Sequence, residues 1–311
     1  MAHELNHRHE GDRRRLGAAL GITVLFLILE IAGGILSGSL ALLADAGHMA
    51  GDVAALGLSL FALWVVARPA TAEKTFGFHR VEIVAALANG ATLMLIAGLI
   101  FAEAYERWRE PPQVQGGLML GIATAGLLAN IVSVLILSRT HRTNLNLRGA
   151  FLHVVGDLLG SVATVAASLI ILGTGWTLAD PLISALIGVL IVASAWRLMR
   201  DSLNVLLEGM PHGMRYEEVM AAIRAVGGVA DLHDLHVWSI TPDFPVLTSH
   251  VVLADDAEAS AVLRTLQTTL ADRFGISHAT LQLESRQAQQ TWVCSGGRCY
   301  PVEMHAETAR K

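Results

Sequence analysis

The sequence predicts an α-helical membrane body of six transmembrane helices, followed by a small C-terminal α+β domain. Three observations carry this expectation. Hydrophobic residues make up 53% of the 311 and the mean hydropathy is +0.51, more apolar than ordinary soluble domains. Charged residues are 16% overall, scarce from Leu16 to Met199 and common after Gly209, which divides the chain into a lipid-embedded part and a polar part. Apolar runs of membrane-crossing length recur throughout the first part.

A helix needs roughly 20 apolar residues to cross the hydrocarbon core. Stretches 16–36, 40–66, 81–104, 116–138, 149–172 and 178–199 qualify. The first is longer than a signal-peptide core and lacks a small-x-small cleavage site, so it reads as a retained helix. Basic residues set the expected orientation. Arg8, Arg13, Arg14 and Arg15 precede the first span; Arg68, Lys74 and Arg80 separate the second from the third; Arg139, Arg142 and Arg148 separate the fourth from the fifth; Arg197 and Arg200 end the sixth. Loops 37–39 and 173–177 carry none. Both termini are therefore expected in the cytoplasm, with Trp108 and Trp176 at outer span ends, where amphipathic rings sit well.

Past Gly209 the pattern changes. Val219, Ile223 and Val226 mark one face of a helix over 215–226. Alternation predicts strands over 232–240 and 246–254, a helix over 257–273 and a last strand over 279–285. The order α-β-β-α-β suggests an α+β sandwich of about 80 residues. The expected organisation is an N-terminal tail with His3, His7 and His9 (1–15), the membrane domain (16–208), the polar domain (209–290) and a C-terminal tail (291–311).

Ionisable groups inside spans are costly, about 2.5–3.5 kcal/mol for an Asp at a helix centre. The second span nevertheless holds Asp45, His48 and Asp52, and the fifth holds His153 and Asp157. His48 and Asp52 are four apart and share a helix face, as do His153 and Asp157. His-x-x-Gly-Asp thus occurs twice, as His-Met-Ala-Gly-Asp and His-Val-Val-Gly-Asp. If the two helices pack together, two imidazoles and two carboxylates converge, a donor set suited to tetrahedral Zn²⁺. Gly47 and Gly51 on one helix, and Gly156 and Gly160 on the other, have the G-x-x-x-G spacing that permits close approach. A single membrane His is ordinarily a hydrogen-bonding group and a single Asp ordinarily pairs with a neighbour; a duplicated motif fits metal better. Asp45, three residues before His48, is an entry ligand, a partner supporting that imidazole or a helix-end cap, of which the supporting role is favoured. Glu30 in the first span either lines a cation path or sits near the outer interface, and Asn130 in the fourth is expected to hydrogen-bond between helices.

The run Ser39-Leu-Ala-Leu-Leu-Ala-Asp-Ala-Gly-His-Met-Ala-Gly-Asp52, the pair His153/Asp157 and His233-Asp-Leu-His-Val-Trp238 together resemble the cation diffusion facilitator family, closest to its bacterial zinc-transporting members. The resemblance covers about Leu16 to Glu284. It implies a homodimer in the bacterial plasma (inner) membrane that exports Zn²⁺ in exchange for protons, with His48, Asp52, His153 and Asp157 as transport ligands. It also implies a ferredoxin-like, metallochaperone-like cytosolic domain whose metal positions are His233, His250, Gln282 and Glu284. Gln282 replaces a His of some relatives, and a neutral amide oxygen is a poor zinc ligand. Arg80 and Glu208 match positions of a charged interlock near the dimer interface. Relatives that bind an ion in the loop between the second and third spans use Asp and His there; here only Glu73 and His79 are available, beside Lys74.

The polar domain carries ten acidic against five basic residues between 209 and 290. Its His212, His233, His236, His250 and His278 either tile strand surfaces or gather around zinc. The tail adds Cys294-Ser-Gly-Gly-Arg-Cys299 and His305; thiols stay reduced in the cytosol, so Cys294 and Cys299 read as candidate metal ligands. The net charge of −5 argues against a nucleic-acid partner, and no organic cofactor is implied. Zinc needs neutral imidazole and ionised carboxylate, so protons compete with it, and an imidazole's reference pKa of about 6.5 suits that competition. The rival readings are efflux of cadmium, cobalt or nickel through the same site, a metal sensor without transport, and a metallohydrolase. The last lacks His-Glu-x-x-His and a general base beside an open metal position.

Overall fold

The computed structural model describes residues 21, 23–138, 145–286, 292–295 and 298–301; within them, the side chains of 145–156, of 292–301 and of a few positions in the second and fourth helices lie outside the described set. Among the described residues six helices form the first part: α1 (Thr23–Ser37), then α2 (Leu40–Val66), α3 (Arg80–Arg109), α4 (Gly116–Ser138), α5 (Leu145–Thr174) and α6 (Ala179–Leu206). Among the described residues Arg80–Arg109, Asp157–Thr174 and Ala179–Leu206 are long and apolar enough to cross a membrane, while Thr23–Ser37 and Gly116–Val132 are shorter apolar helices. Helices α3, α5 and α6 overrun the stretches expected from the sequence. Hydropathy marks where the apolar run stops, whereas the helices continue through Glu106, Arg107 and Arg200, which are good helix formers.

Helix α2 is the packing centre. Its Ala41 and Leu42 are buried with Met119 and Ala123 of α4, Ala167 and Ile171 of α5 and Ala179 of α6. Its Ala44 is buried with Leu93, Ala97 and Ile100 of α3 and Ile187, Ile191 and Ala195 of α6. The alanines let backbones approach closely where lipid offers no hydrophobic contrast. The glycine pair of α2 faces α3 rather than α5. A Cβ on Gly51 would collide with Leu93, and one on Gly47 would lie 3.0 Å from Ile96, both on α3. On α5, Gly160 faces α2, where a Cβ would meet Asp45 Oδ1 at 3.4 Å; Gly156 falls outside the described side chains. The spacing identified a small-residue face but not the neighbour that uses it.

A buried polar cluster fixes the start of α2. Gly38 takes φ +70° to close the turn after α1. Asp180, fully buried at the start of α6, accepts hydrogen bonds from Leu40 N (2.7 Å), Ala41 N (3.1 Å) and Ser39 Oγ (2.6 Å). These satisfy donors that a helix start leaves open. Arg107 of α3 supplies the counter-charge, 3.4 Å from Asp180 Oδ2 and 2.8 Å from Glu103, and its guanidinium donates to Gly38 O (2.5 Å). Asn130 donates to Ser161 Oγ at 3.0 Å, joining α4 to α5 as expected of a membrane amide.

The C-terminal domain follows the expected order: α7 (Tyr216–Arg224), β1 (Val229–Ser239), β2 (Pro245–Leu253), α8 (Ala259–Phe274) and β3 (His278–Glu284). The sheet order is β1-β2-β3, with β1 antiparallel and β3 parallel to β2. Val219 and Ile223 of α7, Leu266 and Leu270 of α8, and Leu235, Val237, Leu247 and Val251 of the sheet form its core. Gly275, at φ +67°, closes α8 in the left-handed conformation that glycine adopts without a Cβ penalty. A separate hairpin, β4 (Trp292–Ser295) and β5 (Arg298–Pro301), pairs Cys294 with Cys299 in register.

By contacts the chain divides into two compact units, 1–63 with 85–199, and 64–84 with 200–311. The second unit therefore includes the segment between α2 and α3. There Arg80 meets Glu208 at 3.2 Å. Phe76 packs edge-on against His278 (5.6 Å between ring centres) and His79 against Phe244 (5.8 Å). His79 thus stands in an aromatic contact, which the sequence did not suggest beyond placing one imidazole and two phenylalanines in a loop.

Candidate metal centres

The first centre is built on α2. One helix turn separates His48 from Asp52, so both side chains leave on one face. Asp157 reaches them from α5, which packs on the same side as Gly160. His48 Nε2 lies 3.4 Å from Asp157 Oδ1 and 4.0 Å from Asp52 Oδ2. The three offer ligand atoms all within 4.8 Å of one another, each half-buried. Asp45, buried, lies within charge–charge range of His48, Asp157 and Asp52. His153 belongs to α5 one turn before Asp157; its side chain lies outside the described residues.

Chemically this is one imidazole and two carboxylates in a half-buried cluster, with a further, buried acid, Asp45, nearby. Hard oxygen and borderline imidazole donors at this spacing favour a small divalent d-block cation over a large hard one.

The second centre lies on the sheet. His233 of β1 and His250 of β2 are paired in the ladder, and β3 brings Glu284 beside them. Glu284 is buried; its Oε2 is 3.1 Å from His233 Nε2 and its Oε1 2.6 Å from His250 Nδ1. The imidazole centres are 4.9 Å apart. Burial alone would push the Glu284 carboxyl up, but hydrogen bonds from His233, His250 and Gln282 prevail and hold it below the usual carboxylate range. Gln282 donates its amide to Glu284 Oε1 at 2.8 Å, and the group on this sheet that could hold a metal is His233, His250 and Glu284. Gln282 therefore steadies the carboxylate. A register shift between His233 and His236, with Asp234 at φ +53°, turns the chain so that His236 bonds Asp234 (3.0 Å) instead. His212 pairs with Asp201 at 3.3 Å. Of the five histidines, two join the trio. Cys294 and Cys299 occupy paired register positions in β4 and β5, with side chains outside the described residues; His3, His7, His9 and His305 also lie outside them.

Residues 16–207 match the family model described as the cation efflux transmembrane domain, and 211–286 that of the cation efflux protein, cytoplasmic domain. The zinc transporter ZitB of Escherichia coli K12 is 45% identical over 307 residues, 96% of each chain. The metal cation efflux system protein CzcD of Cupriavidus metallidurans is 43% identical over 289 residues, 91% of each. A cadmium, cobalt and zinc/H(+)-K(+) antiporter of Bacillus subtilis 168 is 38% identical over 285 residues, 90% of this chain and 91% of that one. With a helical first part bearing a His/Asp cluster and an α+β C-terminal domain bearing a His/Glu cluster, this chain belongs to the cation efflux family, the cation diffusion facilitators that its sequence resembles.

Proposed function

We propose that this chain is a Zn²⁺/H⁺ antiporter that exports zinc across a bacterial inner membrane. The observation that carries the reading is the convergence of His48, Asp52 and Asp157 from two helices. His153, in phase with Asp157, is the fourth ligand. Zinc is the cargo of this site, bound by ionised carboxylates and neutral imidazoles, and protons drive it off by taking the same atoms. Asp45 orients His48. The chain crosses the membrane six times with both termini in the cytoplasm, and its functional form is a homodimer, as the resemblance implies. Its domains are the membrane body 16–208 and the cytosolic domain 209–290, between tails 1–15 and 291–311.

The cytosolic trio His233, His250 and Glu284 binds a second zinc, supported by Gln282, and Arg80–Glu208 ties the segment after α2 to the end of α6. Cys294 and Cys299 add a dithiol in the tail. Cadmium and cobalt share the transport site as poorer cargo, a reading favoured by the name of the Bacillus relative. The family's transporters, and not hydrolases, are what the chain is similar to, and no enzymatic role is proposed.

The test is zinc uptake into proteoliposomes with an imposed pH gradient, native chain against Asp157→Ala. Gradient-dependent flux in the native chain and its loss in the variant support the reading. Equal flux in both overturns the site, and binding without flux in the native chain favours a sensor.

A further inference from the structure

The end of α2 that carries Leu40 is sealed in two layers. Ser39, Ala41, Leu42, Ala44 and Asp180 are all 0% exposed, whereas the cluster further along the same helix is half-buried. The apolar layer lies nearer the cluster. Ala44, one turn from His48, is buried with Ala97 and Ile100 of α3 and with Ile187 and Ile191 of α6. The polar layer lies beyond it. There Asp180 of α6 accepts hydrogen bonds from Ser39 Oγ, Leu40 N and Ala41 N, while Arg107 of α3 donates to Gly38 O and faces Asp180. An ion leaving the cluster along α2 toward Leu40 meets both layers, and the polar one ties α2 to α3 and α6 by directional bonds.

The groups of the polar layer have second partners at hand. Arg107 stands between two acids, close to Glu103 at 2.8 Å and further from Asp180 at 3.4 Å. Glu103 lies one turn earlier on the same helix, so Arg107 keeps a counter-charge if α6 moves away. A cavity of about 420 Å³, lined by Glu103, Glu106 and Arg107 among others, gives the guanidinium room to withdraw. The first-turn amides of α2 are donors that water satisfies once this end opens. Separation therefore strands no charge, which is what an interface with two discrete arrangements needs. We infer that Asp180, with Ser39 and Arg107, is a latch that holds this end of the membrane unit closed. It opens, with Arg107 withdrawing to Glu103, when the cluster turns to the face on which zinc leaves. This rests on the transport reading above; in the orientation proposed there the latch lies at the outer end.

The experiment labels full-length protein in detergent with a charged maleimide, in a chain carrying Cys294→Ser and Cys299→Ser. One reporter is introduced at a time: Ala44→Cys, between latch and cluster, or Ala62→Cys, buried toward the opposite end of α2. In detergent the reagent reaches both ends, so the result does not depend on orientation. Labelling rates are compared with the native latch, with Ser39→Ala, which removes one bond to Asp180, and with Arg107→Gln, which removes the charge. The expected result is that labelling of the Ala44→Cys reporter rises about three- to tenfold, the population change that losing one such bond gives, while that of the Ala62→Cys reporter does not rise. A rise selective for Ala44→Cys in at least one latch variant supports the inference. Its absence from both, whether because neither reporter responds or because both loosen together, overturns it. Zinc flux into proteoliposomes is measured in parallel for the native chain and Asp157→Ala. Equal flux in those two removes the transport-site reading and leaves the labelling to decide the latch on its own.

Discussion

On the proposed reading, His48 decides what kind of cation the His48–Asp52–Asp157 cluster accepts. An imidazole between two carboxylates favours zinc and its neighbours, and all-oxygen sets favour manganese or magnesium. His48→Asp is therefore expected to admit manganese while zinc affinity falls about tenfold or more, a change of at least ~1.4 kcal/mol; metal-competition flux assays check it. At the second centre, Glu284 is the residue to perturb. Its carboxyl is held below the ordinary range in the folded domain, so the stability it contributes is complete above the unfolded value of about 4.3 and disappears as pH falls through the lower folded value. Glu284→Gln should be less stable than the native chain at neutral pH and should converge with it in acid. Hydrogen exchange across β1 and β2 of the full-length protein, followed between neutral pH and about pH 3, measures this. A difference that persists undiminished at the acid end would contradict the assignment.

At the scale of elements, α2 is both the core helix and the carrier of His48 and Asp52, so whatever seats its first turn also places the site. Asp180 does this from α6, capping Leu40 and Ala41 while facing Arg107. Asp180→Ala leaves those buried amides and the Ser39 hydroxyl without their acceptor, while Arg107 keeps Glu103, which is expected to destabilise the membrane unit by about 1–3 kcal/mol. Thermal unfolding in detergent reads the loss, and Asp180→Asn, which retains one acceptor, should lose less. This network was not legible in the sequence: Ser39, Arg107 and Asp180 lie far apart along the chain, and each alone looks like an ordinary loop or helix-end residue. The His-x-x-Gly-Asp repeat was legible because an ionisable pair inside an apolar run has no cheap alternative explanation. The C-terminal strands were legible for a similar reason, as alternation over Leu232 to Ile240 leaves one periodicity. The partner of Gly47 and Gly51 was not, since a small-residue face accepts any helix and only packing selects α3. The histidines divide likewise: β-ladder pairing brings His233 to His250, and a bulge that no local pattern announces removes His236.

At the scale of the whole molecule, the segment between α2 and α3 packs with the C-terminal domain through Phe76, His79 and the Arg80–Glu208 pair. Glu208 takes φ +59°, a left-handed conformation awkward for a residue with a Cβ, and the ion pair offsets part of that cost. The pair is partly exposed, so its worth to stability is on the order of 0–1 kcal/mol and its effect should appear in transport. Arg80→Glu and Glu208→Arg are each expected to slow zinc flux, and the double swap to recover most of it. Failure of the swap to recover would remove the pair from the account. The central claim is that one cluster exchanges a divalent cation for protons. The most direct measurement loads proteoliposomes with a zinc gradient and no pH gradient, and follows zinc and internal pH with two indicators in the same vesicles. Zinc entering native vesicles is expected to drive protons out, and both movements are expected to vanish in Asp157→Ala. Zinc crossing without any proton movement, or coupled movement surviving in the variant, would contradict it.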